Sequence, residues 1–206
     1  MKNKTEQENF WEGRFGDQYT SRNSSKILQK NNDIFFKKIF KGTNNIFSVL
    51  ELGCNIGNNL ISLKKIYKKS SFTGVEINKE ACKKITKRDA DINVINSSIN
   101  NFKTENKFDL VICKGVLIHI HPKQLKFIYQ KIYNLSKKYI LIAEYYNPTP
   151  ISLNYRGYKR KLFKRDFTGD LLNFYKKLKL SNYGFVYHYD EYPQDDINWF
   201  LLKKIK

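Results

Sequence analysis

The stretch Ile46–Asn58, Ile-Phe-Ser-Val-Leu-Glu-Leu-Gly-Cys-Asn-Ile-Gly-Asn, narrows the choice of fold more than any other part of the chain. Phe47, Val49, Leu50 and Leu52 form an apolar run too short for a buried helix and suited to a central parallel strand. Gly53 and Gly57 punctuate the turn that follows, and Leu60, Leu63 and Tyr67 recur beyond it at helical spacing. Strand, glycine turn and helix together make the nucleotide-binding half of a doubly wound α/β domain. Glycine is expected where a ligand lies directly on the backbone, because a side chain there would collide with it.

A second strand, Phe72–Ile77, carries Glu76 at its end, 23 residues after Gly53. A carboxylate at that strand tip accepts hydrogen bonds from both ribose hydroxyls of an adenosine ligand. A dinucleotide site calls for Gly-x-Gly-x-x-Gly, but the corresponding positions here are Gly53, Asn55 and Asn58. The spacing Glu51-x-Gly53-x-x-x-Gly57 instead resembles motif I of the class I S-adenosylmethionine-dependent methyltransferases, and Glu76 resembles their motif II acid. Asn55 stands where that family usually has glycine, and asparagine tolerates left-handed backbone better than most residues.

At 206 residues the chain is expected to form one domain with enough length to bury a sizeable core. The first residues, Met1 to Glu8, have no apolar centre, so neither a signal peptide nor an anchor is predicted, and no run approaches a membrane span. Cys54, Cys82 and Cys113 are far apart and in no metal-ligand spacing; they read as reduced thiols of a cytoplasmic protein, and no metal is expected. The formal charge of +19 raises the question of nucleic acid. The lysines, however, are spread over nearly every predicted helix and loop, among abundant Asn and Ile. That pattern also arises when compositional bias fills solvated positions with lysine, so nucleic acid is not the expected partner.

Residues 1–45 are expected to form a helical N-terminal segment. Its aromatic part, Phe10 to Asn23, either lies across the ligand site as a lid, offering Tyr19 and Arg22 to a carboxylate, or covers the sheet edge with Trp11 and Phe15. Ser24 or Ser25 caps a helix with Leu28, Phe35 and Ile39 on one face. Residues 46–145 are expected to form the donor-binding core. In it, Asn78 caps a helix carrying Ala81 and Ile85, Ile92–Ile95 and Phe108–Cys113 are the third and fourth strands, and Tyr139–Ala143 is the fifth. Between the last two, Leu125, Ile128, Ile132 and Leu135 share a helix face. Residues 146–206 are expected to form the acceptor side: a polar connection from Glu144 to Asp166, a helix near Gly169–Leu178, and a terminal pair at Phe185–Tyr189 and Trp199–Leu202. Five β-α repeats ending in such a pair is the methyltransferase topology, a mostly parallel seven-stranded sheet whose last strand runs antiparallel.

A narrower resemblance covers nearly the whole chain. Phe10-Trp-Glu-Gly with Phe15-Gly-Asp, Lys114-Gly-Val-Leu-Ile-His-Ile-His-Pro122 and Glu144-Tyr-Tyr-Asn-Pro-Thr-Pro150 resemble the bacterial pseudaminic acid biosynthesis-associated methylases. So do Tyr155-Arg-Gly, Leu162 to Phe167, Tyr183 to His188 and Pro193 to Phe200. The resemblance implies a class I methyltransferase of small-molecule type acting near nonulosonic acid synthesis, with S-adenosylmethionine as methyl donor. The donor would rest on Glu51, Gly53, Asn55, Gly57, Glu76, Ser98, Ile99 and Lys114, with Ser98 standing where the family often has an acid.

Ligands of an open parallel sheet bind beyond the carboxyl ends of its strands, which points to the segments after Leu52, Glu76, Ile95, Cys113 and Ala143. Methyl transfer from a sulfonium is an in-line displacement, and a base is needed only if the acceptor arrives protonated. His119 follows the fourth strand and is either that base or a packing histidine that orders its loop; His121 suits a helix cap and His188 a structural role. Arg156 and Arg165, in a basic stretch, suit a carboxylate or phosphate on an anionic acceptor, with a solvated loop as the alternative. Tyr145, Asp195 and Asp196 complete the candidate acceptor contacts. Two rival functions stay open: methylation of RNA or another anion, and donor binding without catalysis.

Overall fold

The computed structural model describes residues 4–22 and 25–205, which fall into two compact units, Met1–Glu105 and Asn106–Lys206. The first unit opens with three helices, α1 (Glu6–Glu12), α2 (Arg14–Arg22) and α3 (Lys26–Ile39). Strand β1 (Ser48–Leu52), helix α4 (Asn58–Ile66), strand β2 (Ser71–Glu76), helix α5 (Lys79–Arg88) and strand β3 (Ile92–Asn96) follow. β1 pairs with β2 and β2 with β3, both in parallel. Val49, Leu50, Leu52, Leu60, Leu63 and Val75 are fully buried, as a central strand covered by helices requires. Side chains start the helices: Thr5 and Glu8 form a capping box on α1, and Ser25 and Asn78 accept the first-turn amides of α3 and α5. Ser24 lies outside the described residues.

The second unit contains β4 (Phe108–Lys114), α6 (Leu125–Leu135), β5 (Ser136–Glu144), β6 (Ile151–Tyr155), β7 (Tyr158–Lys164), α7 (Phe167–Phe174), β8 (Leu178–Val186) and β9 (Ile197–Lys204). β4 and β5 are parallel, whereas β9 runs antiparallel to both β5 and β8. The seven long strands are ordered β3-β2-β1-β4-β5-β9-β8, the mostly parallel sheet with antiparallel last strand that the sequence predicts. Leu125, Ile128, Ile132 and Leu135 are buried on α6 as their spacing requires.

Several local expectations change. Phe47 precedes β1 and is 58% exposed, and Leu28 turns away from the buried face of α3 formed by Phe35, Phe36 and Ile39. The polar connection after β5 contains the β6–β7 hairpin, whose central residues Arg156 and Gly157 have φ of 49° and 85°. Two successive positive φ values define the turn whose twist matches that of a hairpin. Helix α7 ends four residues before Leu178, which instead opens β8. β8 ends at Val186, so His188 sits in the loop before β9 rather than in a strand. Among the described residues no helix is long and apolar enough to cross a membrane, and no cluster of metal-ligating side chains occurs. Cys54, Cys82 and Cys113 are buried free thiols.

Candidate active site

In the first unit the turn after β1 is built on left-handed backbone: φ is 77° at Gly53, 46° at Asn55 and 77° at Gly57. Asn55 thus takes the conformation that glycine usually supplies there. Gly57 has a further reason to be glycine, since a Cβ at that position would meet Ile85 at 3.3 Å. The twist turns the amide of Asn55 towards β2, where it donates to Glu76 Oε2 at 2.8 Å, and the amide of Asn78 donates to Oε1 at 2.8 Å. Burial pushes the Glu76 carboxyl above its ordinary range, while the amides of Asn78, Asn55 and Ile77 oppose that shift. A carboxylate has about four acceptor positions, so the two amides leave capacity for ribose hydroxyls. Glu51 is fully buried and accepts from Asn59 Nδ2 at 2.5 Å.

At the end of β3, Ser98 and Ile99 are buried, and the Ser98 hydroxyl accepts from the amide of Asn101. Glu8 of α1 accepts from Asn100 Nδ2 at 3.1 Å and is also hydrogen-bonded by the Ser98 side chain. Where the methyltransferase pattern has an acid in this turn, a carboxylate arrives from α1 instead. The N-terminal helices are fixed over all three strand ends. Asn78 Nδ2 donates to Asp17 Oδ1 at 2.8 Å and to the Glu12 carbonyl at 3.3 Å, and Thr20 Oγ1 lies 3.3 Å from Asn55 Oδ1. Tyr19 packs edge-on against Trp11, and the Arg22 guanidinium lies 5.7 Å from the ring centres of Phe15 and Tyr19.

In the second unit, Lys114 ends β4 and Gly115 turns the chain at a φ of 66°. The loop that follows is gripped by Glu144 at the end of β5. Its Oε1 accepts from the amides of Val116 and Leu117, both at 2.9 Å, and Oε2 from that of Ile118 at 3.4 Å. Burial pushes the Glu144 carboxyl up to about 7 against the opposing pull of these amides and of the Lys114 charge. The sequence marks Glu144 only as the start of the polar connection after the fifth strand and does not reveal this role, because the three amides are 26 to 28 residues away.

His119, in the same loop, is buried and its Nδ1 lies 2.7 Å from the Lys161 carbonyl of β7. A carbonyl only accepts, so the proton is on Nδ1 and the lone pair on Nε2. Burial lowers the imidazole to about 4, which leaves it neutral and a weak proton acceptor. Its ring also packs on Tyr155 at 4.8 Å, and His121, which caps the turn at Pro122, packs on Phe163. These contacts bind the β6–β7 hairpin to the loop after β4.

Arg156 stands at the exposed hairpin tip with its guanidinium 5.8 Å from the Tyr155 ring centre. Arg165 is instead held at 3.7 Å by Asp170 of α7, which also accepts from the Tyr129 hydroxyl. Tyr145 lies 5.1 Å from Lys164 Nζ. Asp195 is exposed, and Asp196 accepts from the amide of His188 and faces its Nδ1 at 2.8 Å.

Residues 49–138 match the model of a family described as a methyltransferase domain. The match runs from β1 into β5 and covers just under half of the chain. No curated protein matches the sequence. Among solved structures, the fold is similar to magnesium protoporphyrin IX methyltransferase of Synechocystis PCC 6803 with bound S-adenosylmethionine, at 11% identity and a TM-score of 0.71, covering 100% of both chains. It is also similar to the 1,6-didemethyltoxoflavin N1-methyltransferase of Burkholderia thailandensis, crystallised with 1,6-didemethyltoxoflavin and S-adenosylhomocysteine. Identity there is 14% and the TM-score 0.69, over 93% of this chain and 84% of that one. The N-methyltransferase NodS of Bradyrhizobium japonicum WM9 aligns at 13% identity and a TM-score of 0.66, over 88% and 99% of the two chains. The chain thus shares the class I, Rossmann-like fold of these methyltransferases.

Proposed function

We propose that this enzyme transfers a methyl group from S-adenosylmethionine to a small anionic acceptor, a sugar-acid intermediate of nonulosonic acid metabolism or its nucleotide-activated form. The observation that carries the donor is the Glu76 carboxylate, held at the tip of β2 by the amides of Asn55 and Asn78. That arrangement suits the ribose of an adenosine, and the left-handed turn from Gly53 to Gly57 keeps side chains off the adjoining backbone. When bound, the donor supplies an activated methyl on a positively charged sulfur. The chain's part is to hold and orient both reactants and to exclude water. In this reading α1 and α2 act as the cover of the donor side, and Ser98 and Ile99 complete its contacts within the first unit.

The acceptor class rests on the resemblance together with the β6–β7 hairpin, which carries Arg156 and Lys159 to Lys161 and packs on the loop after β4. Arg156 is the residue assigned to an acceptor carboxylate or phosphate. Calorimetry should show micromolar binding of S-adenosylmethionine and of S-adenosylhomocysteine and none of NAD; tight NAD binding without a response to the methyl donor would overturn the donor assignment. Arg156→Ala should leave donor affinity unchanged and lower kcat/KM for an anionic acceptor about 30- to 150-fold, the consequence of a lost bidentate contact of roughly 2–3 kcal/mol. Wild-type efficiency in that variant would move acceptor recognition elsewhere.

The charge of +19 favours a second reading, methylation of RNA. If the charge is compositional, RNA binding should be weak and fall steeply with salt. Methyl transfer to RNA that persists at physiological salt would make this second reading the better one.

A further inference from the structure

The loop between β8 and β9 ends where β9 begins, and the register Glu144↔Asn198 places that start beside the carboxyl end of β5. Four side chains from three segments gather there. Tyr145 directly follows β5, Lys164 ends β7 with its ammonium over the Tyr145 ring, and His188 and Asp196 face each other across the loop. Both Asp196 oxygens lie 2.8 Å from His188 Nδ1. The His188 N–H bonds, followed by the charge of Lys164, hold the Asp196 carboxyl below its ordinary range and therefore ionised. The proton of a neutral imidazole in this pair is on Nδ1, so Nε2 presents the lone pair. An aspartate that fixes one imidazole nitrogen so that the other can take a proton is the arrangement of a general base with its orienting acid. His119 differs in geometry: it is buried and its Nδ1 is pinned to a backbone carbonyl rather than to a carboxylate.

The surroundings suit a sugar acid. Tyr187 and Tyr189 flank the imidazole at 4.3 and 4.2 Å between ring centres and are 43% and 79% exposed. Their rings offer apolar faces with a polar tip, which match the C–H faces and hydroxyl edges of a pyranose. Lys164 supplies a cation for a carboxylate or phosphate.

We propose that Lys164, Tyr145 and the His188–Asp196 pair form an acceptor subsite in which Lys164 holds the carboxylate of a sugar acid, leaving Arg156 to the phosphate of a nucleotide-activated form, and His188 accepts the proton of the hydroxyl that is methylated. This inference rests on the methyltransferase reading above. In the step, a lone pair of the hydroxyl oxygen forms the bond to the methyl carbon while the carbon–sulfur pair returns to sulfur, leaving an uncharged thioether. The hydroxyl proton passes to His188 Nε2, Asp196 balances the imidazolium charge, and water then removes the proton.

The test uses the full chain, saturated with S-adenosylhomocysteine for binding and with S-adenosylmethionine for turnover, and N-acetylneuraminic acid as probe. Calorimetry should detect the probe on the wild type, and its affinity should fall at least tenfold in Lys164→Ala. Nuclear magnetic resonance of the labelled imidazoles should show the His188 signals, and not those of His119, moving on probe addition. His188→Gln should lower methyl transfer to the probe at least 100-fold with donor affinity intact, within the range general bases contribute. Added imidazole should restore part of that loss in His188→Gly, which a mere loop clasp would not allow. Donor binding with no probe binding and unmoved His188 signals overturns the subsite alone. So does turnover in His188→Gln at the wild-type level. Failure of the wild type to bind S-adenosylhomocysteine would instead remove the methyltransferase reading beneath it.

Discussion

Glu144→Ala is expected to remove about 3 kcal/mol of folding stability at pH 6, because buried amides left without an acceptor cost roughly 1–3 kcal/mol each. The amides of Val116 and Leu117 share Oε1, and Ile118 has Oε2, so one truncation orphans all three. Hydrogen exchange of the segment 115–119 should accelerate more than that of α6. Glu144→Gln keeps an amide oxygen where Oε1 stood and should retain most of the stability. What it should lose is the share of the pH dependence that this carboxyl contributes. The folded protein holds the Glu144 proton up to about 7, whereas the unfolded chain releases it near 4.5. Between those values the folded state binds more protons, so its stability falls as pH rises, by about 3 kcal/mol across the window. His119, lowered to about 4, acts in the opposite sense in both proteins, so urea titrations at pH 5 and 7.5 should show the fall as a difference: the wild type loses stability relative to Glu144→Gln as pH rises. A loss below 1 kcal/mol in Glu144→Ala, with unchanged exchange at 115–119, would refute the grip.

The parts of this site that were legible in the sequence are those set by local backbone and short spacing. Gly53, Asn55 and Gly57 could be read because left-handed conformations favour few residue types, and all three occupy one. The placement of Glu76 followed from strand length and the 23-residue interval from Gly53. The β6–β7 hairpin was hidden because Ile151 to Asn154 are exposed on both faces, so no alternation marks a buried side. Its turn also uses Arg-Gly in place of the more familiar Asn-Gly. The long exposed run of β8 obscured that strand's start for the same reason. Partners joined by tertiary register were out of reach: Glu144 with the loop after β4, His119 with Lys161, and Asn78 with Asp17, 61 residues earlier. His188 was assigned to a strand and so was not paired with Asp196, although only eight residues separate them.

Glu76→Ala should produce the largest loss in donor binding, on the order of 100-fold. Part of this is the ribose contact, a hydrogen bond to a charged group whose removal weakens binding by at least about 1 kcal/mol. The rest comes from the turn itself. Oε2 holds the Asn55 amide and Oε1 the Asn78 amide, each at 2.8 Å, so the carboxylate ties the tip of β1 to the cap of α5. Asn78 in turn holds α2 through Asp17 and α1 through the Glu12 carbonyl, so slack at Glu76 reaches the helices over the strand ends. Loss of both amide contacts adds about 2 kcal/mol, and the sum of about 3 kcal/mol is slightly more than a factor of 100. Glu76→Asp retains the charge but is one methylene shorter and cannot reach both amides from the same strand tip; its affinity should fall between wild type and Glu76→Ala. Calorimetry with S-adenosylhomocysteine measures all three proteins, and thermal melts establish that each is folded. A folded Glu76→Ala variant that binds the ligand within threefold of wild type would show that neither the ribose contact nor the turn depends on this carboxylate, and the donor assignment would lose its main support.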